Sequence, residues 1–429
     1  MSEQISEDVF LHYCSMSNCF LFLKRGLHDI YVNTKDSQLE ALPENLFTSL
    51  KEKSFIIDDG KDEILEATGI RENYVNQKSL YTVIVNTTLD CNLSCWYCYE
   101  SRIKGSALTE DVIDGIKKHI QLKFETDPFK TLKLSFFGGE PFMCYEGIKA
   151  LLTFGKEFCE ANGIDIIADF TTNATLVTEE MIDFIRQFPC AFQITLDGDE
   201  ARHNKIKIDS VNHSNTFNRT IETLRLIEEN IPDKWVSVRI NFDNRTLRTI
   251  DRILDRIDFL DRRKCKIILK KVWQLKTGDV DKEALLEAFN TIFGRKFMID
   301  YYIMPKFCVC NCEQRNQVLF NYDGKVFKCT TISSFNDENA LGTFNAHTGI
   351  VSWDKDRMAE WYADMQPDYC KRCVWFPACN GSCNRQIMAH KGEQICTFDA
   401  MNLTRKEYLM YLFKNSILEK ELTGIQLNI

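Results

Sequence analysis

Leu80-Tyr-Thr-Val-Ile-Val-Asn-Thr-Thr88 runs, after Leu89 and Asp90, straight into Cys91-Asn-Leu-Ser-Cys95-Trp-Tyr-Cys98. The first nine residues are almost all apolar or β-branched, the composition of a buried strand. That strand empties into three cysteines on one short loop. Three thiolates on a four-iron cluster leave one iron with an open position, whereas a simple electron carrier normally uses four. The competing reading is a zinc site with a distant fourth ligand. The tight three-and-two spacing, the preceding strand and the aromatic Tyr97 weigh against zinc.

Downstream, strands and helices alternate. In SALTEDVIDGIKKHI (106–120), Thr109 is placed to cap an amphipathic helix. TLKLSFF (131–137) is a second strand and ends at Gly138-Gly139-Glu140-Pro141. A helix near 145–161, a strand near 164–171 and a helix near 178–187 follow. FQITLDG (192–198), a helix near 215–229, WVSVRINF (235–242), another helix and CKIILKKVW (265–273) complete the run. Six strands interleaved with helices predict a parallel α/β sheet, curved or open. In such folds chemistry collects at the C-terminal ends of the strands. The cysteine triplet, GGEP, Thr172-Asn-Ala-Thr175, Leu196-Asp-Gly198 and RINF all fall there.

The chain of 429 residues has room for about three domains at roughly 150 residues each. A formal charge of −9 argues against a general nucleic-acid surface. No run approaches the ~20 apolar residues that span a bilayer, and MSEQISEDVF is no signal peptide. The expectation is a cytoplasmic protein with neither nucleic-acid nor membrane partner. Eighteen cysteines in a reducing compartment point to metal ligands rather than disulfides. Cys14, Cys19, Cys144, Cys159, Cys190 and Cys265 read as small hydrophobes.

Residues 1–79 read as a small α+β domain, with strand-like runs CFLFLK (19–24), DIYVN (29–33) and SFIID (54–58). Pro43 is placed to open a helix reaching Leu50, and KDEILEATGI (61–70) has helical spacing. After residue 300 the regularity fades. A turn-rich stretch carries Cys308, Cys310, Cys312, Cys329, Cys370, Cys373, Cys379, Cys383 and Cys396, which metals would hold together. Residues 401–420 resume a helical pattern. The division expected is 1–79, 80–300, 301–400 and 401–429.

The C-x3-C-x2-C loop with an aromatic before its third cysteine resembles the signature of the radical SAM superfamily. The resemblance implies a partial (β/α)6 TIM-like barrel. It implies that Cys91, Cys95 and Cys98 hold a [4Fe–4S] cluster whose open iron chelates S-adenosyl-L-methionine. Reductive cleavage of that cofactor gives a 5′-deoxyadenosyl radical that abstracts hydrogen from a substrate. By the same resemblance Tyr97 contacts the adenine, and Gly138, Gly139 and Glu140 form the GGE motif that holds the methionine amino group. Asn173 lies in a TNAT where the family has TNGT. Thr195 and Asp197 lie in TLDG, which resembles the family's ribose-side motif. Arg239 and Asn241 resemble residues that line the cofactor pocket. His203 matches a common family position but reads better as structural than as a general base.

The C-terminal cysteines resemble the SPASM extension of these enzymes, which implies two auxiliary [4Fe–4S] clusters and three in all. Cys370, Cys373, Cys379 and Cys396 would hold the outer cluster. Cys312, Cys329 and Cys383 would hold the inner one, with Cys308 or Cys310 as fourth ligand. A zinc site on 370–383 is the alternative. SPASM enzymes mostly act on peptides. The first reading is therefore a maturase that crosslinks a ribosomally made precursor peptide, as by a thioether. Residues 1–79 would then be a winged-helix-like leader-recognition domain whose sheet edge takes up the leader. An electron donor such as flavodoxin or ferredoxin is implied. The second reading is an anaerobic sulfatase-maturating enzyme, but those begin almost at the cluster loop and carry Asp where this chain has Thr330. A third is a non-catalytic cluster-bearing carrier, which would have no reason to keep GGEP.

Overall fold

The computed structural model describes residues 1–32, 42–209, 211–302, 310–332, 334–363, 367–379, 381–390 and 393–424. They form two compact units. One draws on Met1–Tyr74 and Asp364–Ile429, the other on Val75–Tyr301 and Cys310–Ala363.

The first unit opens with a three-stranded antiparallel sheet in the order β1 (Ser2–Ser6), β2 (Val9–Cys14), β3 (Cys19–Lys24). Three helices follow: α1 (Arg25–Val32), α2 (Glu44–Glu52) and α3 (Glu63–Val75). Of the three expected strands only 19–24 is one. DIYVN falls largely in α1, where Leu27, Ile30 and Tyr31 pack on the buried Leu21, Leu23 and Leu50. An isolated apolar run fits either period, and here tertiary packing chose the helix. SFIID is a loop. The sheet is completed instead by residues 2–14, whose edge strand SEQIS is too polar to show an apolar strand pattern. The C-terminal helix Arg405–Thr423 carries a full capping box, Thr404 with Glu407. Its Phe413 meets Phe20 and Phe22 of β3, and Trp375 is buried among Tyr13, Phe398 and Tyr408.

The second unit contains all six expected strands: β4 (Leu80–Thr88), β6 (Thr131–Gly138), β7 (Asp165–Thr172), β8 (Cys190–Thr195), β10 (Lys234–Phe242) and β11 (Cys265–Lys271). They are parallel and joined by helices that include α4 (Glu110–Thr126) and α5 (Tyr145–Asn162). Thr109 caps α4, its side chain accepting from the Val112 N–H. β12 (Met298–Asp300) extends one edge, and β5 (Leu93–Cys95) pairs with β9 (Lys207–Asp209) in a separate ribbon. The result is the mixed α/β fold with a large parallel sheet that a partial barrel requires.

Past residue 310 the chain is more regular than expected. β13 (Gln317–Asn321) lies parallel to β4, and β14 (Lys325–Phe327), β15 (Gly342–Asn345) and β16 (Ile350–Trp353) carry the same sheet on. These strands are short, which is why their period was hard to read.

The two faces of the parallel sheet differ. Val83, Val85, Leu134, Phe136, Phe170, Phe192, Val238, Ile240 and Leu269 are buried on one face, with Phe136, Phe170 and Phe192 stacked across three strands. Truncating one of these rings to Ala would cost about 3–5 kcal/mol. The register sets Thr82 and Asn86, Lys133 and Ser135, Asp169 and Thr171, Gln193 and Thr195, Arg239 and Asn241, Lys266 and Lys270, and Asp300 on the other. Lys133 pairs with Asp169 at 2.7 Å and Lys266 with Asp300 at 3.0 Å. One face holds the fold together while the other offers chemistry at the strand ends.

Candidate active site

The cysteine loop is braced from four sides. Asp90 accepts from the Cys91 N–H at 2.8 Å and the Gly105 N–H at 2.8 Å. Arg102 donates to the Cys91 carbonyl at 2.7 Å and to Ser94 Oγ at 3.1 Å. Cys95 sits opposite Lys207 in the β5–β9 ribbon. The fourth side is the glycine turn after β6. A Cβ on Gly138, at φ +121°, would lie 2.0 Å from the Thr88 carbonyl oxygen, and one on Gly139 would lie 2.0 Å from that of Asp90. Only glycine lets the turn press so closely on the start of the loop, and the Gly139 and Glu140 N–H groups donate to Thr88 and Asp90 there.

Glu140 is fully buried. Its carboxylate accepts from the Thr172 hydroxyl at 2.7 Å, the Asn173 N–H at 2.7 Å and the Phe142 N–H at 3.1 Å. Burial raises its pKa against those bonds. In this arrangement Glu140 ties the loop after β6 to the loop after β7. Asn173 then reaches the cysteines, its Nδ2 lying 3.7 Å from Cys91 Sγ and 2.9 Å from Asn92 Oδ1. Ala174, where the resembling motif has Gly, is held at φ +64°.

Tyr97, Asp197 and Asn241 form one buried network. The Tyr97 hydroxyl donates to Asp197, and Asn241 donates its backbone N–H to Asp197 Oδ1 at 2.9 Å and its Nδ2 to Tyr97 Oη at 3.1 Å. Arg239 orients Asn241 through a 2.9 Å bond, and Thr195 stands level with Arg239 at the end of β8. Two members of this network were not read from the sequence. Lys207 is 3.6 Å from Asp197, both side chains being buried. Burial pulls the Lys207 pKa down, but Tyr97, Cys95 and Asp197 outweigh it and hold the ammonium charged. Trp273 donates to the Tyr97 carbonyl at 3.1 Å. Lys207 lies in KIKID, with no motif to mark it; its role comes from the ribbon pairing. His203 accepts the Asp197 N–H at Nδ1, and burial holds its ring neutral. That is a structural role.

Among the described residues no group of three or more His, Cys, Asp or Glu side chains converges as ligands of a single ion would. The three loop thiols nonetheless act on one another: Cys95 raises both Cys91 and Cys98, and Arg102 lowers all three. Burial, the largest cause, pushes Cys91 up to about 12. Cys91 Sγ receives N–H donors from Leu93 at 3.4 Å and Asn173, which suits a sulfur carrying negative charge. Cys91, Cys95 and Cys98 are the residues of this loop that would hold a cluster, and the N–H donors on Cys91 Sγ suit a bound thiolate there.

Cys312 shares hydrogen bonds with Cys310 and Cys329, and Lys328 is buried beside them, donating to the Gln314 and Gln317 carbonyls at 2.6 Å each. In the other unit, the charges of Cys370, Cys396 and Cys373 all bear on Cys379. Cys383 begins the helix Asn384–Ala389 in that unit. Cys308 lies outside the described residues. Cys159, Cys190 and Cys265 are buried, while Cys14, Cys19 and Cys144 are partly so.

A cysteine triplet at the end of the first strand of a parallel α/β sheet, pressed by a Gly-Gly-Glu turn, defines a class. Residues 85–257 match the Radical SAM superfamily, and the chain is an enzyme of the radical SAM type, a class that uses S-adenosylmethionine and a [4Fe–4S] cluster. It is 22% identical over 346 residues to the cysteine-type anaerobic sulfatase-maturating enzyme of Clostridium novyi, covering 72% of this chain and 88% of that one. It is also 22% identical over 403 residues to the radical SAM cyclopropyl synthase TigE of Paramaledivibacter caminithermalis, covering 85% and 81%. The fold is similar to native anSMEcpe with bound AdoMet and Cp18Cys peptide (TM-score 0.58, 17% identity, 81% of this chain and 100% of that one). It is similar as well to Streptococcus suis SuiB bound to precursor peptide SuiA (TM-score 0.50, 14% identity, 94% and 100%). Among the described residues no helix is long and apolar enough to cross a membrane.

Proposed function

We propose that this enzyme modifies a ribosomally made precursor peptide, forming a crosslink such as a thioether. The observation that carries the reading is the three-stranded sheet with α1 to α3 that precedes the radical SAM domain. It offers two edge strands, β1 and β3, to which an extended leader could add by main-chain bonds. TigE aligns over 85% of the chain, beyond the 72% reached by the sulfatase-maturating relative. When bound, the cluster and S-adenosylmethionine supply one-electron cleavage and a radical able to take hydrogen from carbon. The chain's own part is to hold the thiolates, to keep Glu140 and Asn173 locked behind Cys91, and to aim the Tyr97–Asp197–Asn241 network at a polar ligand.

Two auxiliary clusters belong to this reading. Cys370, Cys373, Cys379 and Cys396 are the outer set, supported by their mutual electrostatic influence. Cys312, Cys329 and Cys383 are the inner set, with Cys308 or Cys310 as fourth ligand; the hydrogen bonds of Cys312 with Cys310 and Cys329 support the reading, and Cys383 is assigned by resemblance alone. The sulfatase-maturating reading is favoured by the Clostridium novyi relative and opposed by Thr330 at the position of the expected Asp.

The test is anaerobic incubation of the reconstituted enzyme with a short peptide encoded beside its gene, read by mass spectrometry. Loss of two hydrogens with a crosslinked fragmentation pattern is expected. Formylglycine formed on a sulfatase peptide, with the precursor untouched, would overturn the proposal.

A further inference from the structure

The inner face of the sheet carries an uneven charge. On β10, β11 and β12 the register sets Lys266 beside Ser237, Lys270 beside Asn241, and Ile268 beside both Arg239 and Asp300. Asp300 thus stands between two lysines of the next strand, one to each side along it. It pairs with Lys266 at 3.0 Å. Lys270, partly buried, feels the charges of Asp300, Arg239 and Lys266 together. Glu100, which follows the cysteine loop, acts with Arg239 on Tyr99. Counting it as ionised, the group still holds three cations, Arg239, Lys266 and Lys270, to two carboxylates, Asp300 and Glu100. Asp197, Asp243 and Asp279, at the same strand ends, each come with a cation of their own, Lys207, Arg202 and Lys271.

Arg239 spends its Nε on Asn241 at 2.9 Å, and among the described residues no carbonyl or carboxylate takes its Nη donors. That pair of donors matches the two oxygens of a carboxylate. A partly buried cation in excess is costly until an anion meets it. The cysteine loop is not that anion. The outside charges acting on Cys91, Cys95 and Cys98 include Glu140, Asp197, Glu100, Arg102 and Lys207, but neither Arg239 nor Lys270. The cation group also lies at the strand ends, where chemistry collects in such folds. What it lacks is a carboxylate arriving from outside the chain.

We infer that Arg239 and Lys270 hold a carboxylate of the substrate peptide, an acidic side chain or the peptide's own C-terminus, at the ends of β10 and β11. The inference rests on the precursor-peptide reading and adds the chemistry of the residue that enters the site. Arg239 then serves the substrate, not the cofactor pocket that its resemblance suggests. A carboxylate seated there fixes the register of the peptide, so that the same carbon is presented for hydrogen abstraction in every turnover. A charge-assisted contact of this kind contributes about 10- to 100-fold in binding. An amide of the same shape keeps the size and loses the charge.

The test uses the full-length, anaerobically reconstituted enzyme with S-adenosylmethionine and the peptide encoded beside its gene. Each Asp and Glu of the peptide is changed singly to Asn or Gln, and a further version carries a C-terminal amide. One of these changes should lower kcat/KM by about tenfold or more, and which one does so tells the two carboxylate sources apart. Lys270→Met should act on the native peptide by a similar factor and no longer separate it from the neutralised one. Its affinity for S-adenosylmethionine, by equilibrium dialysis, should stay within about twofold of the wild type. The peptide series needs no enzyme variant, so a Lys270→Met chain that fails to fold leaves the test intact. A peptide-free arm applies saturation-transfer NMR to N-acetylglutamate N-methylamide and its glutamine counterpart on the cofactor-loaded enzyme. The glutamate compound alone should bind, and Lys270→Met should abolish the difference. Peptides that all react alike would overturn the inference. So would a Lys270→Met enzyme whose S-adenosylmethionine binding is about tenfold weaker, since the cations would then belong to the cofactor. Equal binding of the two compounds, or of neither, would overturn it as well. A wild type that leaves the peptide unmodified yet selects the glutamate compound would fail the precursor-peptide reading and uphold the carboxylate site.

Discussion

Two cysteine-bearing regions of the molecule are built in opposite ways. The loop of Cys91, Cys95 and Cys98 is shaped by protein: Asp90 and Arg102 on its main chain, the ribbon at Cys95, Asn173 at Cys91, and the glycine turn behind it. Among the described residues of the stretch 367–396 the side-chain braces include Ser382 and Tyr369, which hold the Ile395 main chain rather than that of a cysteine. Among its described residues the helices are short, Asp368–Lys371, Phe376–Cys379 and Asn384–Ala389, and a large apolar anchor is Trp375. Cys370, Cys373, Cys379 and Cys396 bear on one another across its loops. A loop fixed by hydrogen bonds keeps its geometry without metal and needs metal to react. On the proposed reading, in which thiolates on metal fix the stretch 367–396, that stretch depends on metal for its geometry.

The largest expected effect breaks the comparison open. Stripping iron anaerobically should cost residues 367–396 hydrogen-exchange protection on the order of 5 kcal/mol, while β4, β6 and β7 keep theirs. Equal loss in both regions would contradict the contrast. Next, Lys207→Met leaves Asp197 buried without its ion-pair partner. That should cost about 3–5 kcal/mol, seen as a lower urea midpoint. No shift would mean the ribbon is not braced by that pair. Gly139→Ala should cost roughly 1–3 kcal/mol and weaken S-adenosylmethionine binding in equilibrium dialysis, because its Cβ must displace the Asp90 carbonyl. The smallest effect belongs to Ala174→Gly. Relief of the left-handed backbone, about 1–2 kcal/mol, is offset by glycine's entropy at about 0.5–1 kcal/mol and a lost buried methyl at about 0.8 kcal/mol. The net change should lie within about 0.5 kcal/mol in thermal unfolding, and a shift beyond about 1 kcal/mol would break the account of that turn.

The sequence made the parallel sheet legible because its strands are long, apolar and separated by capped helices such as that after Thr109. The motifs at the strand ends were legible for the same reason. Lys207 and Trp273 were not, because each is a single residue whose role depends on a pairing or a loop return. DIYVN and SFIID misled because short apolar runs fit strand, helix or loop until packing decides. The strands at 317–353 escaped because three to five residues carry too little period to stand out.

The most direct measurement of the central claim is 5′-deoxyadenosine released from S-adenosylmethionine by the iron-reconstituted chain under a strong reductant, compared with Cys95→Ala at matched protein concentration. The account predicts steady release by the wild type and none above background by the variant, with both showing the same barrel secondary structure by circular dichroism. Release that survives Cys95→Ala, or none from a wild type with its full complement of iron, would contradict it.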